Sequence, residues 1–407
     1  MTSFTWLDYS EYERQKAMKV IDLFKEEDTR DELGIGVIRD TLAEHFFPGT
    51  TTIQTRAKYF LFLPWIYLEL ERKNTPSAEM KNRSRRLQDR LCQALIAGGE
   101  EKGVIGYLAG FNIQRLPSSV YWQGLLRWGI LKFQGAEGNY YRDMDRFYRR
   151  QFAVPVFEKG EAPDPQASNW DRDLYRLRPP ESWLDKTDFS LSAEEAEFLI
   201  DHIQVHHRDS LLVFLINKKN MISDNVRFPW QQPGFENVPT ALFSDLRHAR
   251  VFSKVMHGAA LLYNLILAEQ IKSEEKCSDY HISLDEWWSS LHIDSYLLDN
   301  WSFKEFRDLI SRRLQAKVSS LTWAFTERWL LFVRNEKSIA SLIAAKEIRE
   351  MITAREHQLK RSRARIDNPR AKELWNGASG TGQLDYRWNR PVRDIINDLL
   401  GPIIKEK

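Results

Sequence analysis

The sequence predicts a mainly α, multi-helical protein with a candidate winged-helix unit near residues 80–145. Apolar residues recur at helical spacing behind polar start signals, whereas the period-two alternation that marks strands is scarce. Helix is therefore expected to exceed the base rate of roughly 30–35% by a wide margin. At 407 residues the chain is longer than a single core usually supports, so two or three packed subdomains are expected. With 14 Trp, 14 Tyr and 22 Phe, an aromatic-rich interior follows, each ring burying roughly 150–250 Å².

Three helix starts read as capping boxes, in which a hydroxyl accepts from the third helical N–H and a Glu or Gln reaches back. They are Ser10 with Glu13, Thr51 with Gln54, and Ser192 with Glu195. Behind the first, Ala17, Ile21 and Phe24 share a stripe; behind the third, Phe198, Ile200 and Ile203 do so less cleanly. The section at 59–68 is apolar on all sides, which predicts a central core helix that Pro64 kinks or ends. Further helices are expected at about 245–272, 284–298, 302–329 and 338–365. Loop-rich stretches at 74–77, 153–180, 225–239 and 377–382 suggest an N-terminal domain at 1–152, a connector at 153–190 and a C-terminal helical domain at 191–407.

Within the N-terminal part, residues 83–97 read as a helix stopped by Gly98 and Gly99, and 117–128 as a second helix stopped by Gly129. Residues 130–133 and 140–144 around a turn at 134–139 would then form a β-wing. In that arrangement the second helix would enter a nucleic-acid groove with Ser118, Gln123 and Arg127, while Arg83, Arg85, Arg86 and Arg115 touch phosphates. The competing reading packs the same helix into the core through Tyr121, Trp122, Leu125 and Trp128.

The net charge is only +2, from 59 Lys+Arg against 57 Asp+Glu, so any nucleic-acid surface must come from local clustering. Two such clusters exist, KNRSRRLQDR at 81–90 and REHQLKRSRAR at 355–365, and in the second Arg361, Arg363 and Arg365 have no acid beside them. A charge run is more often a solvated helix face, and both readings stay open.

Signatures of phosphate-loop ATPases, zincins and lipase-type hydrolases are missing from the sequence. Asp89, Glu100 and Lys102 have the letters of a metal-dependent nuclease triad, but Glu100 and Lys102 sit in a glycine-flanked turn rather than on a core strand. His202 and His206 would share a helix face, with His207 on another; without a third ligand at recognisable spacing, a solvated face is preferred to zinc. Arg56 and Lys58 could hold an anion at a helix N-terminus, although pairing with a carboxylate such as Asp31, Asp40 or Glu44 is the preferred reading. Gly34 and Gly36 suit a positive-φ turn or a close backbone approach. Cys92 and Cys277 are too few for a disulfide framework. The acidic start, and the lack of an apolar run near the ~20 residues a spanning helix needs, lead us to expect a cytoplasmic protein without a membrane partner. No cofactor, metal or catalytic set is expected.

The segments FTWLDYS, RDELGIGVIRD, FPGTTTIQTRAKYFLFLPWIY, VYWQGLLRWGI, HARVFSKVMHGAALLYN and LDYRWNR together resemble an uncharacterised bacterial family, domain of unknown function 6361, across essentially the whole chain. The resemblance implies association with anti-phage defence gene clusters, beside helicases and phospholipase-D-like nucleases. It brings no known active site. The expected function is thus a non-catalytic defence subunit that binds nucleic acid weakly, DNA or RNA, and scaffolds a helicase or nuclease partner. The alternative is a cryptic metal-dependent nuclease or effector.

Overall fold

The computed structural model describes residues 33–107, 115–153, 168–293, 295–375, 377 and 382–405. The expected Ser10–Glu13 capping box, its stripe and Asp31 lie outside them. Among the described residues the protein is 68% helix in 16 helices, with no strand. An isolated antiparallel bridge, Leu131 to Trp170, is the β-pairing among them. In chain order the helices are α1 (Gly36–Phe46), α2 (Tyr59–Arg72), α3 (Ser77–Ala97), α4 (Pro117–Arg127), α5 (Glu137–Ala153), α6 (Ala193–His207), α7 (Leu211–Lys218) and α8 (Thr240–Gln270). There follow α9 (Glu274–Ile293), α10 (Ser295–Asp299), α11 (Phe303–Asp308), α12 (Ser320–Asn335), α13 (Ile339–Ala344), α14 (Lys346–Lys360), α15 (Pro369–Glu373) and α16 (Arg393–Lys405).

The expected winged helix loses its wing. Residues 140–144 belong to α5, because Tyr140, Met144, Phe147 and Tyr148 repeat at helical spacing and all four are buried. Nor do the units follow chain order: Leu42–Ser244 with Asp385–Lys407 form one, and Met1–Thr41 with Asp245–Leu384 the other. Long-range ion pairs, which loop composition does not report, tie the last segment to the first unit.

That first unit is built around α2. Tyr59 to Tyr67 are all buried, and Pro64 sits inside the helix without ending it. Proline removes one i→i−4 bond, but Phe60 stacks on Trp128 with ring centroids 3.8 Å apart and Phe62 on Trp183 at 5.6 Å, so packing outweighs the loss. The helix begins at Tyr59 rather than behind Thr51. Gln54 reaches back to the Thr51 N–H (3.1 Å) and donates to the Gly49 carbonyl (3.1 Å), which closes a turn instead of a helix. The Ser192–Glu195 box, by contrast, is complete and opens α6. Gly49 and Gly129 both adopt positive φ, +77° and +68°, where a Cβ would run into Trp128 and His206.

The other unit is built around α8, whose length and apolarity would suffice for a membrane span. However, 83% of its most apolar window is buried inside the protein, as in a core helix. Trp287 and Trp329 donate to the α8 carbonyls of Lys254 and Val255, each at 2.8 Å, and stack on one another at 6.1 Å. The helix expected at 302–329 is broken by a wide π-turn at Leu309–Arg313, and Ser319 caps α12 by accepting from the Thr322 N–H at 3.1 Å. The helix expected at 338–365 pauses at Ala345 and ends at Lys360, where Arg361 takes φ +50°. Gly34, at φ +68°, lets the buried Arg355 approach its backbone, as the close-approach reading of LGIG anticipates.

Candidate nucleic-acid interface

The neighbouring helices α3 and α5 carry the densest exposed positive charge of the first unit. On α3 the apolar and small polar residues Met80, Ser84, Gln88, Leu91 and Leu95 face inward, leaving Lys81, Arg83, Arg85, Arg86 and Arg90 exposed. On α5 Tyr140, Phe147 and Tyr148 face inward, and Arg142, Arg146, Arg149 and Arg150 are exposed. These four arginines fall at i, i+4, i+7 and i+8, one helical stripe. Glu79 and Asp145 are the exposed acids on the two helices. Reading 140–144 as a strand scattered the α5 arginines; the helical spacing of RDMDRFYRR is the signal that finds them.

A buried polar network fixes both helices from beneath. Tyr67 Oη meets Tyr141 Oη at 2.9 Å, donates to Glu137 at 2.5 Å and accepts from Ser84 at 3.2 Å. Glu71 accepts from Tyr140 (2.5 Å), Asn169 (3.0 Å) and Trp170 (3.1 Å). Burial pushes the Glu71 carboxyl above its ordinary range, and those three donors only partly oppose the rise. Buried groups satisfied in this way lock rotamers and leave the outer arginines on a rigid support.

Several surface arginines hold carboxylates. Arg83 meets Glu79 at 2.6 Å, Arg85 meets Asp89 at 3.9 Å, Arg150 meets Asp143 at 2.9 Å, and Arg90 pairs with Asp185. Exposed pairs of this kind contribute about 0–1 kcal/mol, so a phosphate can displace them at small cost. Arg86 and Arg115 are exposed.

The expected recognition helix, α4, serves the core instead. Ser118 is fully buried, its N–H donating to Gln88 at 2.8 Å, and Tyr121, Trp122 and Leu125 point inward, so of the three expected base contacts Gln123 and Arg127 reach the surface. Arg127 pairs with Glu44 at 3.1 Å.

The second basic cluster is mostly interior. Arg355, Lys360 and Arg365 are 3%, 8% and 7% exposed. Arg355 donates to the Leu33 carbonyl (2.9 Å) and the Thr322 hydroxyl (2.7 Å), while the Arg365 N–H donates to Glu356 (2.8 Å). Glu356 is fully buried, and a buried carboxylate demands cations and donors: Lys360 Nζ lies 4.0 Å from it, and Tyr263, which the Arg365 side chain bonds, donates to it at 2.7 Å. Arg365 is therefore corrected from a phosphate contact to an interior partner. Arg361 and Arg363 remain exposed.

Arg56 and Lys58 take carboxylate partners as the preferred reading held, but different ones. Arg56 Nη2 lies 2.7 Å from Asp398 Oδ1, and Asp398 also accepts from the Ala57 N–H at 2.9 Å, placing its carboxylate at the N-terminus of α2. Lys58 pairs with Glu195 and donates to the Ser190 carbonyl at 2.8 Å. Asp40 pairs with Arg39, and Glu44 with Arg127 and Arg387.

Of the three histidines of α6, His202 and His207 are half-buried against the end of α4 and His206 is exposed, as the solvated-face reading expects. His202 Nδ1 bonds the Trp128 carbonyl at 2.9 Å and its Nε2 lies 3.6 Å from Asp171; His206 stacks on His202 at 5.9 Å. His207, expected to face elsewhere, reaches the Arg127 carbonyl through Nε2 at 2.9 Å. Burial disfavours the charged Asp171, yet His202, Lys132 and the Asp173 N–H outweigh it and hold the carboxyl well below the usual carboxylate range. In the candidate triad, Glu100 accepts from the Phe189 N–H at 3.1 Å and lies 4.0 Å from Arg56. Among the described residues no group of three or more His, Cys, Asp or Glu is arranged to hold a metal.

Compared with known proteins, the chain matches the model of a family of unknown function, DUF6361, over residues 1–399. No curated protein and no solved structure matches it. Since the match spans nearly the whole chain, the protein belongs to the DUF6361 family.

Proposed function

We propose that this protein is a non-catalytic subunit of a bacterial anti-phage defence system, one that contacts nucleic acid weakly and docks a helicase or phospholipase-D-like nuclease in the cytoplasm. The observation that carries the nucleic-acid part is the excess of exposed arginine over exposed acid on α3 and α5. The net charge of +2 argues for weak rather than autonomous tight binding. The defence context and the partner classes rest on the sequence resemblance alone.

The test replaces Arg85, Arg86, Arg361 and Arg363 together by Ala. Association with duplex and single-stranded probes at low salt should weaken irrespective of sequence, each lost phosphate contact reducing the salt slope by about 0.7–0.9. Stability should change by less than ~0.5 kcal/mol per site. Unchanged binding, or a large loss of stability, assigns these arginines to the fold. Cleavage of DNA or RNA by the purified chain with Mg²⁺ or Mn²⁺, abolished by Glu100→Ala or His202→Ala, would favour the nuclease alternative.

A further inference from the structure

We infer that the α3–α5 face grips the phosphate backbone of a double helix in preference to a single strand; this rests on the nucleic-acid reading above and names its polymer. Non-specific single-strand binders combine a basic groove with exposed aromatic rings on which bases stack. Helix α5 does the reverse. Tyr140 contacts Tyr67, Trp122, Phe133 and Trp170 through its ring, and Phe147 and Tyr148 are buried with it. Tyr141 is tied to Tyr67 and Glu137. The rings of Tyr140, Tyr141, Phe147 and Tyr148 are thus committed to interior partners, and cations take the outward positions.

Spacing points the same way. Arg142, Arg146, Arg149 and Arg150 span roughly 12 Å of helix at 1.5 Å per residue. A duplex strand advances about 3.4 Å along the helix axis per phosphate, so a stripe of this length can lie alongside several consecutive phosphates. A rigid stripe profits from a rigid backbone that already holds its charges at fixed intervals, whereas a flexible strand must be ordered first. The network beneath α3 and α5 supplies the rigidity on the protein side. Arg142 and Arg149 are steadied by the Gly138 and Asp145 carbonyls, both at 3.2 Å, contacts that leave guanidinium donors for phosphate oxygens.

The experiment measures fluorescence anisotropy of the full chain with a mixed-sequence DNA duplex, its separated strands, an RNA duplex, and vesicles containing phosphatidylserine. The proteins are the wild type, a variant with Arg142, Arg146, Arg149 and Arg150 all changed to Gln, and one with all four changed to Lys. Duplexes should bind about tenfold tighter than single strands at low salt, and the Gln variant should lose up to about 3–4 from the duplex salt slope. The Lys variant should keep most of the binding; equal loss in Gln and Lys variants would overturn the inference by showing a structural effect. Single strands bound as well as duplexes, with both lost in the Gln variant, would overturn the duplex preference and leave the nucleic-acid reading standing. Binding to vesicles but to neither polymer would overturn both, as would no binding at all. Duplex binding untouched in the Gln variant would move the contact to another face.

Discussion

Lys58→Met isolates the most buried ion pair of the α2 unit. Lys58 and Glu195 are only 7% and 8% exposed, and Glu195 serves twice, closing the α6 capping box through the Ser192 N–H at 2.8 Å while pairing with Lys58. Removing the lysine leaves a buried carboxylate with that N–H but no cation, and stranding one member of a buried pair costs about 3–5 kcal/mol. The surviving N–H puts the expected loss near the lower end, about 3 kcal/mol. In a unit of this size that lowers the melting temperature by roughly 6–12 °C. Adding Glu195→Gln removes the stranded charge, while the amide oxygen can still accept from Ser192; the double variant should return to within about 1 kcal/mol of wild type. Urea and thermal melts of the four proteins in this cycle give the coupling directly. A single variant that melts within ~2 °C of wild type, or a double variant no better than the single, would refute the argument.

Gly258→Ala sets two effects against each other. Alanine should stabilise a helix by about 1 kcal/mol over glycine, but the added Cβ would lie 2.0 Å from the Trp287 ring, so a net loss of about 1–3 kcal/mol is expected in calorimetry. Asp171→Asn should destabilise at pH 7 by about 1.5–3 kcal/mol, the range for hydrogen bonds to a charged group. Because folding depresses the Asp171 pKa, its contribution is present above the unfolded value near ~3.9 and is lost as pH falls further. The gap between wild type and variant in denaturant melts should accordingly narrow as pH falls below about 4.

Much of the helical layout was legible because it rests on local signals. Ser192 and Glu195 lie three residues apart and make both bonds of the box, and the all-round apolar section at 59–68 could only be a core helix. The errors share a physical cause. Tyr140 and Tyr141 have strand propensity, yet tertiary burial of the Tyr140, Met144, Phe147 and Tyr148 stripe decides the state. Thr51 and Gln54 have the letters of a box but close a turn, since the Tyr121 hydroxyl accepts from the Thr55 and Arg56 N–H groups at 2.8 and 3.0 Å. Charge alone could not tell Arg363 from Arg365. Only burial, a property of the packed state, separates them: the Arg365 side chain is tied to the interior Tyr263, whereas Arg363 is exposed.

The bond between Arg56 and Asp398 also has a consequence in time. The two residues are 342 positions apart, and at about 5–20 residues per second the ribosome takes roughly 20–70 s to pass from one to the other. Throughout that interval α2, the centre of its unit, lacks the carboxylate that completes its N-terminus, while the entire segment Asp245–Leu384 of the other unit is made. The α2 unit is therefore the one finished last. Nascent chains halted before residue 385 should keep α2 and its aromatic neighbours open to chaperones and proteases, and release of the full chain should close them.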